Sequence, residues 1–373
     1  MKHKLIAVSL IAVLLCTVLG YGAGCSTTPP TTQYDLTITS TAGGDVTTPT
    51  EGTHTYDAGT VVNLTATPDS GYRFVKWTGN VGTIGDAEEA TTTITMNGDY
   101  TVTANFALGT LISGVPDTNQ PPTVTLPSTP PGTDYCAPMA MINVLEYWDD
   151  VANHANAQNV TAGLAPATAA EYLGYFMDTN NTGSPDRVNN PGIPGTHNLD
   201  IGPGTMDFVR WDAIHPPTPP IPVTPPPFAL PAGKVGYDWV VGWNCDTDYS
   251  LTLNLYKHDI DNGLPMVVTF DYWNPVDKSI AVVDPETGET INVFVWGDYT
   301  PSSLPPHPSE YWTLYDTGHA VTGVGYILNW DPDGAGAIPS ADWVIVHDNW
   351  ATTPENVAIP WQNWVCLYNI SLG

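Results

Sequence analysis

The segment from Asp134 to Trp148 narrows the fold most, because it sets a cysteine at the start of a helix. Pro138 suits a first helical turn, where its missing N–H costs nothing, and Met141, Leu145 and Trp148 recur at helical spacing as one apolar face. Cys136 therefore lies at a helix N-terminus. There the macrodipole and the orphan N–H groups favour a thiolate and offer donors to a developing oxyanion. Helical cysteines are more often small core hydrophobes than nucleophiles, so the reading depends on partners further along the chain. Two segments supply them. Gly318 to Tyr326 reads as a strand with His319 near its start, and Asp342 to Trp350 as a strand ending in Asp348, Asn349 and Trp350.

The order cysteine, histidine, carboxylate, with His319-Ala320-Val321 leading to Val324-Gly325-Tyr326 and Trp343 leading to Asp348 and Trp350, resembles the papain-like cysteine peptidases. That resemblance implies an α+β domain of N-terminal helices packed on an antiparallel sheet. It makes Cys136 the nucleophile, His319 the general base and then acid, Asp348 the group orienting the imidazole, and Trp350 the indole shielding that hydrogen bond from water. The lead-in Val115-Pro116-Asp117-Thr118-Asn119-Gln120 looks more like the bacteriocin-processing, double-glycine leader peptidases and their secreted relatives. There a glutamine shortly before the cysteine completes the oxyanion hole, which makes Gln120 the candidate, with or without the N–H of Cys136. Here 15 residues intervene, including the proline-rich run Pro121 to Pro131, and Ala137 replaces the usual glycine. The implied reaction is hydrolysis of a peptide or protein amide without a cofactor. No transporter segment is expected, so cleavage after paired glycines is not carried over.

Lys2, His3 and Lys4 precede the apolar run Leu5 to Leu19, the layout of a secretory signal. Gly22-Ala23-Gly24-Cys25 is similar to a lipobox followed by a Ser/Thr/Pro tether, so Cys25 is the expected lipid attachment point; cleavage near Ala23 is the alternative, and would give a secreted protein. The expected location is extracytoplasmic, at the cell surface and held to the membrane through that lipid. With 38 acidic against 9 basic residues the net charge is −29, which argues against nucleic acid as a partner and describes a solvated surface. Of five cysteines, Cys245 and Cys366 are left over, as a disulfide or as two buried thiols. Neither C-x-x-C nor H-E-x-x-H occurs, so no metal site is expected.

Between Tyr34 and Phe106, short runs of period-2 alternation separated by Gly-rich turns describe a small all-β domain. The stretch from Ala58 to Trp77 and the closing Val102 to Phe106 resemble the divergent internalin-type B repeat of bacterial surface proteins. The expected organisation is a lipoprotein-type signal over 1–24, a tether over 25–33, the β-repeat over 34–106, a linker and lead-in over 107–133, and the hydrolase domain over 134–373. Further helices are expected over 165–177 and from about Tyr249 to Asp261, and a hairpin over 282–293. His347 is set aside because strand neighbours face opposite ways. Asp178 to Asp186 imitates half a calcium loop but lacks its closing glutamate, and the proline-rich run 216–231 reads as an exposed insertion. Two rival functions stand beside the peptidase: a cell-wall peptide amidase or acyltransferase on a related thiol-hydrolase fold, and a non-catalytic surface binding or adhesion protein.

Overall fold

The computed structural model describes residues 31–120, 135–179, 196, 198–212, 229–238, 240–246, 249–270, 273, 275–296, 318–334, 336–338, 340–361 and 365–371, with backbone alone at 198, 199, 240, 243–246, 249–251, 365, 366 and 371. The expected signal, Cys25, most of the calcium-like loop and most of the 216–231 run lie outside these residues.

The chain is α+β. Alternation in the first third produces β1 (Gln33–Ser40), β2 (Gly44–Thr48), β3 (Gly52–Asp57), β4 (Val61–Pro68), β5 (Tyr72–Gly79), β6 (Thr91–Thr95) and β7 (Tyr100–Leu108). They form two sheets, ordered β3-β1-β7-β5 and β2-β4-β6, which share one core around Leu36, Leu64, Trp77, Ile94 and Phe106. Large apolar side chains at every second position make this possible, since one face of each strand is buried and the other wet.

The first residues of the expected linker and lead-in, 107–111, lie largely in strands. β7 runs on to Leu108, and β8 (Thr110–Leu111) pairs antiparallel with the later strand β13 (His319–Trp330), Leu111 opposite Gly325 and Thr110 opposite Tyr326. Polar contacts add to the junction: Arg73 Nε donates to Gly109 O at 2.7 Å, Arg73 pairs with Glu286 at 3.0 Å, and Leu108 N donates to Asp284 Oδ1 at 3.1 Å. Gly71 lies so close to Trp330 that a Cβ there would come within 2.5 Å of the indole. The β-repeat is thus docked on the second unit, because its last strand hands the chain straight into the neighbouring sheet.

That sheet adds β9 (Val240–Asp246), β10 (Met266–Phe270), β11 (Pro275–Val283), β12 (Thr290–Trp296), β14 (Ala341–His347), β15 (Asn356–Pro360) and β16 (Val365–Ser371). Its order is β11-β12-β15-β14-β13-β10-β16-β9, with β8 appended to β13. The helices are α1 (Cys136–Glu146), continued by a π turn over Tyr147–Val151, then α2 (Pro166–Phe176), α3 (Asn198–Arg210) and α4 (Tyr249–Asp261). Residues of α1, α2 and α3 share a core with Val267, Ala320 and Tyr368, whereas α4 shares one with Val268, Val321 and Leu367. Adjacent strand residues therefore belong to opposite cores, and helices cover both faces of the sheet. The expected helix starting near Tyr249 and the 282–293 hairpin are present, but α3 was not foreseen. Pro203 lies inside it, flanked by Gly202 and Gly204, and that composition reads as a turn. Packing overrides the propensity: a Cβ on Gly204 would stand 2.7 Å from the Phe176 carbonyl, so α3 approaches the end of α2 closely.

Candidate functional site

α1 begins at Cys136 as the sequence predicts, with Tyr135 as its N-cap residue and Pro138 in its first turn. Tyr135 provides no side-chain cap, so helix geometry leaves first-turn N–H groups without intrahelical acceptors. Cys136 is partly buried at the margin of the α1–α3 core. Gln120 reaches this point: its Oε1 accepts the Tyr135 N–H at 3.2 Å, and its own N–H donates to Asn349 O at 2.9 Å. The lead-in therefore bridges the start of the cysteine helix and the segment following β14, despite the 15 residues that separate Gln120 from Cys136.

His319 opens β13 opposite Phe270 of β10 and is 6% exposed. Its ring packs near two indoles, Trp273 at 4.8 Å and Trp350 at 5.7 Å between centroids. Burial lowers its pKa to about 4, the Asp348 carbonyl opposing the shift, so the resting imidazole is neutral at pH 7. Nε2 lies 2.8 Å from Asp348 O and 2.9 Å from Trp350 Nε1, which donates to it. These contacts call for opposite tautomers. The carbonyl needs a proton on Nε2, which leaves Nδ1 bare as a base, whereas the indole needs Nε2 bare.

The expected carboxylate–imidazole contact is not the one formed. Asp348 Oδ1 accepts Trp350 N at 3.0 Å and the Thr353 hydroxyl, closing a local Asx-type turn, and the main-chain carbonyl of Asp348 meets His319. The physical reason is the backbone at Asn349, whose φ of 62° is left-handed and turns the chain just past the strand. Burial raises the Asp348 pKa, opposed by its bonds to Thr353 and Trp350. Asp117 is pushed up to about 6, first by burial and then by Asp348 and Glu355, with His347 opposing. His347 is engaged elsewhere, with Nδ1 3.2 Å from Pro116 O and Nε2 3.1 Å from Asn356 Oδ1. Trp350 is 49% exposed, so it edges the site rather than sealing it.

A chain of hydrogen bonds links the start of the cysteine helix to His319. It passes from the helix start through Gln120 and Asn349 to the Asp348 carbonyl. Alternation along β13 directs Ala320 and Thr322 to the α1 side and Val321 to the other. His319 shares the parity of Val321, so thiol and imidazole can meet only around the end of the sheet, where β13 begins and β14 ends.

The sequence assigns no role to Asn143, Thr322 or Trp273, and marks Asn349 only as the neighbour of Asp348 in the strand-end motif. Asn143 was visible as a polar residue inside the apolar α1; Thr322 and Trp273 carried no local signal. Cys245 and Cys366 are register partners across β9 and β16, and their side chains lie outside the described residues. Among the described residues, no group of three or more His, Cys, Asp or Glu is placed to hold a metal ion.

Comparison with known proteins yields one family: residues 34–110 match the divergent InlB B-repeat domain. No curated protein and no solved structure matches the chain.

Proposed function

We propose that this protein is an exported, lipid-anchored cysteine peptidase with a papain-like catalytic domain, which hydrolyses peptide amides through Cys136 and His319. The observation that carries the reading is Gln120, a side chain returned across an insertion of 15 residues to the N-terminus of the helix that begins with Cys136. That is where the oxyanion of an acyl transfer needs a donor in addition to the Cys136 N–H.

In this mechanism Nδ1 of His319 takes the Cys136 proton, and Sγ attacks the carbonyl carbon of the scissile amide. The oxyanion is held by the Cys136 N–H and the Gln120 amide. Collapse breaks the C–N bond as His319 returns the proton to the leaving amine, giving a thioester. Water, deprotonated by His319, then hydrolyses the thioester and restores the thiol. Desolvation makes an isolated imidazolium costly here, so the charged form is stable mainly beside the thiolate. Cys25 carries the lipid, the β-repeat stands between membrane and enzyme, and the substrate is a peptide or protein outside the cell.

The test is labelling by an electrophilic peptide probe. Wild-type protein should label at Cys136, Cys136→Ala should not label, and His319→Ala should label at least about tenfold more slowly at pH 7. Labelling of Cys136 that is indifferent to His319 refutes the peptidase and favours the binding protein.

A further inference from the structure

Asn143 lies seven residues beyond Cys136 and is completely buried. A buried carboxamide in an otherwise apolar helix is costly unless its donors and acceptor are satisfied. They are, by three different segments. Its Oδ1 accepts Thr118 N at 3.2 Å, and its Nδ2 donates to Asn349 Oδ1 at 2.9 Å and to Thr322 Oγ1 at 3.3 Å. Thr322 Oγ1 in turn donates to Ala140 O of α1 at 3.2 Å. Thr118 precedes Gln120 by two residues, Thr322 follows His319 by three, and Asn349 stands between Asp348 and Trp350. One side chain on the cysteine helix thus ties together every segment that bears a member of the site.

Asn349 is the decisive partner. It is 1% exposed and left-handed, a conformation that asparagine adopts more readily than most residues but that a β-carbon still disfavours. That backbone is clamped from both ends of the carboxamide, by Asn143 on Oδ1 and by Ala320 O on Nδ2 at 3.3 Å. The turn it imposes aims the Asp348 carbonyl at His319 Nε2 and the Asn349 carbonyl at the Gln120 N–H.

We propose that Asn143 is a positioning residue which, by holding Asn349 left-handed, presents the Asp348 main-chain carbonyl to His319 Nε2, selects the Nε2-protonated tautomer over the one the Trp350 indole calls for, and so leaves Nδ1 bare as the base. The orienting group of this site is then a peptide carbonyl, and the Asp348 carboxylate secures the turn behind it. This rests on the peptidase reading above.

The experiment is the pH dependence of Cys136 alkylation by iodoacetamide in the full chain, with far-UV circular dichroism to establish folding. Ionisable groups around the pair are Asp348, with Asp117, His347 and Glu355 grouped near it, and Glu171 near Tyr135; every variant below except Asp348→Asn retains all of them. Asn143→Leu should slow alkylation at pH 6 by about tenfold and move the midpoint toward the ~8.5 of an ordinary thiol, approaching His319→Ala. Asn349→Ala, which loses the clamp and resists a positive φ, should do the same. Asn349→Gly adopts that φ without strain and should recover most of the rate. Asp348→Asn should shift the profile less than Asn143→Leu.

Equal profiles for Asn349→Ala and Asn349→Gly overturn the proposal, as does a folded Asn143→Leu with the wild-type profile. A larger shift from Asp348→Asn than from Asn349→Ala assigns the orientation to the carboxylate instead. If Asn143→Leu fails to fold, the Asn349 pair decides. If His319→Ala itself keeps the wild-type profile, the peptidase reading has failed rather than this inference alone.

Discussion

Replacing Glu146 by glutamine should stabilise the protein increasingly as pH rises above about 4.5, and fully above neutral pH. Glu146 closes α1, is 7% exposed, and has Asp149 and Asp150 in the next turn. Burial first, and then Asp150 and Asp149, raise its pKa from 4.5 to about 7. For a carboxyl raised in the folded state, the folded protein holds more protons than the unfolded chain between those two values. Stability therefore falls as pH rises through that window, and the full penalty is present above pH 7. Taking 1.36 kcal/mol per tenfold change gives an upper bound of about 3.4 kcal/mol, and screening by nearby solvent reduces it to about 1–2 kcal/mol. Glutamine keeps the volume and has no charge to desolvate. Asp117, raised to about 6, and His319, lowered to about 4, also make stability pH-dependent, but equally in both proteins, so they cancel in the difference. Thermal melts should coincide at pH 4.5 and separate by about 2–6 °C at pH 8, with Glu146→Gln the higher. A constant difference across this range, or a less stable variant at pH 8, refutes the reasoning.

Two further outcomes follow from single contacts. Tyr256 is fully buried on α4, its hydroxyl 2.9 Å from Gly325 O and 3.3 Å from Ile345 O, beside the irregularity in the β13–β14 pairing. Tyr256→Phe leaves those carbonyls without that donor and should cost about 1–3 kcal/mol in urea unfolding; no loss would mean that the pairing absorbs them unaided. Cys245 and Cys366 are register partners across β9 and β16, and directly opposed Cα atoms in an antiparallel pair are about 4.5–5.5 Å apart, within disulfide range. Peptide mapping without reductant is expected to recover the two linked, and two alkylatable thiols would refute the bridge.

Local chemistry alone determined much of this chain. Alternation and Gly-rich turns specify the strands of the β-repeat because each has one buried face, and Pro138 with its apolar spacing specifies a helix that starts at Cys136. Other features depend on groups far apart in sequence, and those only the tertiary structure decided. Residues 107–111 read as a linker because a two-residue strand has no pattern of its own; β8 exists only because β13 offers it an edge. α3 reads as a turn because Pro203 and two glycines outweigh its pattern until close packing on α2 reverses the balance. The lead-in motif makes Gln120 a candidate, but separation along the chain says nothing about where the 15-residue insertion returns it. The motif placed Asp348 beside His319 but could not say which of its oxygens would face the ring. That choice depends on the handedness of Asn349, which is held by Asn143, a residue more than 200 positions earlier in the chain.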